Sequence, residues 1–429
     1  MKRIAVIGGG PKAAAICAKA WCLDPTRKRL RVDVFEKTEF GSAWGGRHGY
    51  TDGDQKLCTP AERDVGFPYE EGLLDEDGVK RLFSTFSWGA YLIEAAGSPL
   101  GYREWVDRGR KAPTHRIYAQ YIAWVLRASG QIRAAREVVG LDHRDDRWSV
   151  RYRLRGGVEK ARGDFDGVVI TGPGPALSGF QRPRDPRIID GNAFWRTPET
   201  FLRRARGSDG PIIIAGSGGT SAAIAARIVR RDPGRPVIII GNQGALFTRT
   251  ESFFENALFT DEDAWRALRA DERVAVTQRL NRGVVWASVS ETLSASGDVR
   301  FRPGRVTGAV VQPGVRGAPA ELRVDVIDAS GEWNDPASLV IDASGFDPWW
   351  FLSLLPDRMQ RLARGRGDAT AERRRQELRS TIDRDLSVDL GATGLHVPML
   401  ALAQGPGFAS LMVLGSMSER ILQSYVEPA

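Results

Sequence analysis

Apolar and polar positions along this chain fall into a rhythm that occurs twice. An apolar run, Arg3–Ile7, meets the turn Gly8-Gly9-Gly10-Pro11-Lys12-Ala13 and then the small-residue stretch AAICAKAWC. The second copy runs from Pro211–Ala215 through Gly216-Ser217-Gly218-Gly219-Thr220-Ser221 into AAIAARIVR. Short apolar runs closed by glycines predict buried strands, and the stretches after them predict helices. Each unit continues into another apolar strand, VDVFEK at 32–37 and VIIIG at 237–241. Strand, glycine turn, helix, strand is the order of a dinucleotide-binding unit on a parallel sheet. The expected fold is therefore α/β with two Rossmann-like units, their first glycines, Gly8 and Gly216, in corresponding places.

The glycine turns carry specific chemistry. Gly8 permits the tight turn, Gly10 lets the backbone approach a pyrophosphate, and Ala13 keeps helix and strand close. With Pro11 and Lys12 they open a helix whose unpaired N–H groups and positive dipole end suit phosphate. Glu36 ends the next strand, where a carboxylate suits a ribose hydroxyl pair. The second turn, Gly216, Gly218, Gly219, Thr220 and Ser221, is looser, and its following strand ends at Gly241-Asn242 without an acid. That absence permits the 2′-phosphate of NADP, and Arg249 is the nearest cation to reach it. Otherwise Arg249 is a loop charge in water.

Composition removes several alternatives. A length of 429 residues and a hydrophobic fraction of 42% suit a protein of two or three domains. No apolar run is long enough for a membrane span. Met1-Lys2-Arg3 runs straight into the first strand, so no signal peptide is expected and the cytoplasm is the expected compartment. The net charge of +8 comes from 9 Lys and 52 Arg scattered among 53 acidic residues, without a basic block. Nucleic acid is accordingly not expected as a partner. His48, His115, His143 and His396 show no metal-ligand spacing, so no metal is expected. No GxSxG elbow follows a strand either. Cys17 and Cys22 have the CxxxxC spacing of flavin disulfide reductases. Five residues apart on one helix, they point away from each other and read as core residues.

Longer segments are more specific. YTDGDQKLCTPAERDVGFPY (50–69), FSWGAYLI (86–93), EWVDRGRKAPTHR (104–116), LFTRTESFFENALF (246–259) and QGPGFASLMVLG (404–415) resemble the microbial N-hydroxylating monooxygenases of siderophore biosynthesis. The likeness runs nearly end to end and is strongest to the mycobactin-type lysine N6-hydroxylases. It implies an FAD-binding domain over residues 1–205, an inserted NADPH-binding domain over 206–334, and a C-terminal return, 335–429, to the FAD domain and substrate cleft. The implied reaction reduces FAD with NADPH, traps O₂ as a C4a-hydroperoxyflavin and transfers oxygen to a neutral amine. No side chain need then be catalytic, because the flavin carries the chemistry. A lysine amine, with a pKa of roughly 10.4, is mostly protonated at neutral pH, so a dry, aromatic-lined cleft favours the reactive form. Trp- and Phe-rich stretches near 83–91 and 247–259 offer such walls, or are ordinary core.

The resemblance also implies roles for single residues. Gly8, Gly10, Ala13 and Glu36 match FAD phosphate and ribose positions. Trp44 and the Gln55–Leu57 turn match the flavin ring site, Val138 a position near adenine, and Ser410-Leu411 the returning C-terminal segment. Asn256 matches an asparagine that binds the substrate's amino-acid head, and Asn281 one near substrate and nicotinamide. Three positions depart. Arg63 replaces a lysine that pairs with the substrate carboxylate, Gly241-Asn242 replaces an arginine, and Ala343-Ser344-Gly345 replaces an Ala-Thr-Gly turn. Lysine is the expected substrate. Ornithine, another primary amine, or an uncoupled NADPH-dependent flavin oxidase or reductase are the alternatives, and oligomeric state, a homo-oligomer included, stays open.

Overall fold

The computed structural model describes residues 1–48, 50–94, 101–131, 134–249, 252–282, 285–313, 320–364 and 371–426. Both predicted strand–turn–helix units are present. In the first, the strand Lys2–Ile7 leads into the helix Pro11–Leu23 and then the strand Leu30–Phe35. Its helix is rich in alanine because it lies flat on the sheet, where eleven of its thirteen residues are buried. The sheet is parallel, in the order Leu395–His396, Gly167–Ile170, Lys2–Ile7, Leu30–Phe35.

The second unit repeats this plan. The strand Ile212–Ala215 leads into the helix Gly219–Arg231 and the strand Val237–Gly241. Its five-stranded parallel sheet has the order Val299–Pro303, Val237–Gly241, Ile212–Ala215, Leu339–Asp342, Ile188–Asp190. In both sheets the founding strand lies between the strand that follows its helix and a later strand that arrives through a three-stranded antiparallel meander. These meanders are Arg136–Arg144, Arg147–Leu154, Glu159–Phe165 in one unit and Arg305–Gln312, Glu321–Asp328, Gly331–Ala337 in the other.

The second sheet reaches past both expected boundaries. Leu339–Asp342 lies inside it, and Ile188–Asp190 forms its edge. The sequence division at 205/206 and 334/335 placed these strands outside the inserted unit. An apolar run such as LVID names a buried strand but not the sheet that buries it.

Within the aromatic stretch 83–126, most described rings pack as core, while Phe83 and Tyr102 are exposed. Trp88, Tyr91, Trp105 and Tyr121 are buried and contact one another edge-on or tilted. Burying each such ring contributes about 1.5–3 kcal/mol. This cluster supports the helix His115–Ala128, which in turn positions the Gln55–Leu57 turn described below.

Candidate functional site

The first glycine turn is built by close approach. Gly8 has φ +104°, and a Cβ there would lie 2.5 Å from Thr171 Oγ1. Only glycine satisfies both conditions. Gly10 differs: a Cβ there would meet nothing within 4 Å. The turn is therefore open at the point where a pyrophosphate would approach, at the mouth of a helix whose N-terminus has no side-chain cap. Ala13, in the first turn of that helix, is fully buried.

Glu36 reaches back across this turn. Gly9 N donates to its Oε2 at 2.8 Å, while Thr38 N, Thr38 Oγ1 and Ser42 Oγ donate to Oε1. The carboxylate is held in one orientation beside the glycines, and Oε2 retains accepting capacity toward a hydroxyl. Arg136 N donates to Glu36 O at 2.7 Å, which brings the half-buried Val138 strand to the same end of the sheet.

The residues expected at the flavin ring share one wall. Trp44 meets His115 and Tyr118 edge-on, with centroids 4.7 and 5.3 Å away. Leu57 is buried and donates its N–H to Pro113 O, while His115 N donates to Gln55 O. Gln55 Nε2 is buried without a hydrogen-bond partner among the described residues. A buried amide in that state costs about 1–3 kcal/mol, which a bound ligand's acceptor would offset. An open phosphate turn and an orphaned donor at the ring wall fit FAD. Burial also pulls the His115 imidazole down to about 4, so the wall stays uncharged at neutral pH.

The C-terminal segment closes over the first turn through Lys12. Its buried ammonium donates to Phe408 O at 2.5 Å and Ser410 O at 2.9 Å. Burial lowers its pKa to about 7. Leu411 packs against the first core, and Lys19 extends the clamp through Gly415 O and Glu419. Lys12 was expected at the phosphates. The structure shows it tying residues 408–410 to that turn.

The second turn also depends on close packing. Gly216 has φ +121°, and a Cβ there would come 2.5 Å from Ala343 O. Gly218 caps the helix that Gly219 and Thr220 begin, and buried Ser221 Oγ bonds back to Gly218 O at 2.7 Å. A Cβ on Gly241 would lie 2.3 Å from Ser217 Cβ, which is why no larger residue ends that strand. Gln243 Oε1, just beyond, is buried without a partner among the described residues. A helix N-terminus without a side-chain cap and this buried acceptor fit a second dinucleotide.

Arg249 and Arg63 meet at one residue. Arg249 ends the short strand Thr248–Arg249, places Nη2 3.5 Å from Met412 Sδ and stacks over Phe259 at 5.3 Å. Arg63 donates from Nη1 to Met412 O at 3.3 Å and stacks over Phe67 at 4.7 Å. Asp64, beside Arg63 in sequence, accepts instead from Tyr69 Oη, Trp88 N and Gly66 N. Asn256 lies half-buried on the helix Phe253–Thr260, one turn before Phe259. The end of that helix packs on the C-terminal segment, where a Cβ on Gly407 would meet Phe259 O at 3.0 Å. Asn281 lies in the last turn of the helix Ala270–Arg282, and its side chain is outside the described residues. Sequence reasoning missed Met412, although it stands in a flagged segment, because a methionine signals packing.

Neither cysteine of the CxxxxC pair is poised for redox chemistry. Both are buried, and burial pushes the Cys22 thiol up to about 12 and Cys17 further. Among the described residues no cluster of His, Cys, Asp or Glu could hold a metal ion. Among them also no helix is long and apolar enough to cross a membrane.

Two dinucleotide-type turns, with a C-terminal segment clamped over the first, define a flavin-type oxidoreductase architecture with two nucleotide domains. The family described as L-lysine 6-monooxygenase/L-ornithine 5-monooxygenase matches residues 83–294. L-lysine N6-monooxygenase MbtG of Mycobacterium tuberculosis is 36% identical over 438 residues, spanning 98% of this chain and 94% of that protein. The solved lysine monooxygenase NbtG from Nocardia farcinica superposes with a TM-score of 0.77 at 30% identity, over 98% of this chain and 100% of its own. The ornithine N-hydroxylase of Kutzneria sp. 744 shares the fold at a TM-score of 0.70 and 16% identity, over 98% of each chain. This chain belongs to the L-lysine 6-monooxygenase/L-ornithine 5-monooxygenase family.

Proposed function

We propose that this protein hydroxylates the side-chain amine of L-lysine with NADPH and O₂, using FAD, as a step in siderophore biosynthesis. Bound FAD, once reduced by NADPH, supplies the activated oxygen. The protein's own residues bind, orient and exclude water. Gly8, Gly10 and Ala13 make the phosphate turn, and Glu36 is fixed at the ribose position. Trp44, Gln55 and Leu57 form the ring wall, and Lys12 ties the carbonyls of Phe408 and Ser410 to the first turn. Gly216 to Ser221 make the second phosphate turn.

The observation that carries the substrate reading is the meeting of Arg63 and Arg249 at Met412. Two guanidiniums beside the C-terminal segment suit a carboxylate, since each offers a planar fork of donors. Asn256 is on the helix packed against that segment and suits the remaining polar atoms of an amino-acid head. With the head group held there, the side-chain amine would be the end left to meet the activated oxygen. Its contacts to Met412 and Phe259 support a carboxylate rather than the 2′-phosphate of NADP as the target of Arg249. The test is mass spectrometry of products from diamino acids and polyamines supplied with NADPH and O₂. N6-hydroxylysine formed in proportion to NADPH consumed supports the reading. NADPH loss with peroxide alone overturns it.

A further inference from the structure

The segment YTDGDQKL contains a carboxylate that neither glycine turn uses. The Asp52 side chain is only 6% exposed, and its two oxygens face different parts of the molecule. Oδ1 accepts from Asp54 N at 2.9 Å and Gln55 N at 3.1 Å, so it shapes the turn that presents Gln55 at the ring wall. Oδ2 faces Arg227 Nη1 at 3.5 Å and Arg230 Nη2 at 3.8 Å, both on the helix Gly219–Arg231 of the second unit. Oδ2 has no hydrogen bond among the described residues. Its stabilisation therefore comes from these two charges.

The other contacts sharpen the asymmetry. On the first-unit side, Arg116 donates to Asp52 O and Asp54 Oδ1, and Thr51 Oγ1 bonds His115 Nδ1. On the second-unit side, Arg227 also pairs with Glu199 at 3.2 Å. Each partner is thus anchored in its own unit. The helix that carries Arg227 starts at the second glycine turn, about 12 Å away at 1.5 Å per residue. A rigid rod runs from the second phosphate turn to the flavin-side turn.

We propose that Asp52, Arg227 and Arg230 are positioning residues that set the second glycine turn relative to the Gln55 turn and so govern hydride delivery from NADPH. This rests on the FAD- and NADPH-dependent reading above. A charge placed away from water and left unpaired is strongly unfavourable. The contact therefore favours the one arrangement of the two units that satisfies it.

Two readouts test this. The first is hydrogen exchange of the full-length chain without cofactors. Arg227→Met with Arg230→Met should speed exchange at residues 53–57, in the other unit, by roughly fivefold, because local opening there becomes easier. The second is anaerobic flavin reduction by NADPH in stopped flow. The same variant should lower the limiting rate by about tenfold, as small misplacements of reacting groups do, with FAD affinity within about twofold of wild type. Asp52→Glu should retain most of the rate. Asp52→Asn should lower the rate as the arginine variant does, and should it fail to fold, the arginine variant still decides the matter. Unchanged exchange and rate would overturn the proposal, as would a loss of FAD affinity in step with the rate. A wild-type protein that NADPH does not reduce would instead refute the cofactor reading, while the exchange experiment would still judge the contact.

Discussion

Truncating Arg63 to alanine separates carboxylate recognition from everything else the residue does. The side chain makes a hydrogen bond to Met412 O and a cation–π contact to Phe67. A charged hydrogen bond to the substrate carboxylate contributes roughly 1.5–3 kcal/mol. At about 1.4 kcal/mol per factor of ten, KM for lysine should rise between about 10- and 150-fold. Cadaverine has no carboxylate, so its KM should barely move, and wild type should already favour lysine over cadaverine. The lost ring contact should lower stability by about 0.5–1 kcal/mol, which a thermal melt reads independently. Arg63→Met restores most of the buried stem without the charge and should reproduce the KM effect with less of the stability loss. The assay is coupled hydroxylamine formation at saturating NADPH and O₂ for both amines. Equal wild-type activity on lysine and cadaverine, or an equal rise in both KM values, would refute the assignment.

Three further outcomes follow from the same geometry. Gly10→Val should abolish FAD binding in a flavin-titration assay while leaving the apo fold intact, because a Cβ there meets nothing within 4 Å; unchanged affinity would move the pyrophosphate elsewhere. Arg249→Ala should raise KM for lysine and leave the NADPH-to-NADH preference as it was, whereas a selective rise in KM for NADPH would return this arginine to the 2′-phosphate. Burial raises the Asp64 carboxyl from 3.8 to about 6, so between those values the unfolded chain ionises while the folded one stays protonated. Stability should accordingly fall as pH rises from about 4 to 6, by about 3 kcal/mol at 1.36 kcal/mol per pKa unit. Urea melts of Asp64→Asn should lack that slope, and a parallel slope in both proteins would contradict the assignment.

Much of this architecture was legible along the chain. Strand, glycine turn and helix follow from local rules, because an apolar run must be buried and a φ near +104° or +121° selects glycine wherever it occurs. The same locality made Glu36 readable, since the strand itself carries it to the turn. The dismissal of Cys17 and Cys22 needed only helix geometry, and their burial agrees with it.

What tertiary structure decided involves residues far apart in sequence. Leu339–Asp342 reads as a buried strand in isolation, yet only its pairing with Ile212–Ala215 places it in the second sheet. Lys12 reads as part of a phosphate motif until its ammonium reaches carbonyls nearly 400 residues away. Nothing local to Arg249 shows that the C-terminal segment folds back and brings Met412 beside both it and Arg63. Asp52 gave no signal at all, because its partners lie on a helix of the other unit. Long cationic side chains reach several ångströms in any direction, so sequence fixes their charge but not their target. Only packing of the whole chain chooses which carbonyl, ring or carboxylate they meet.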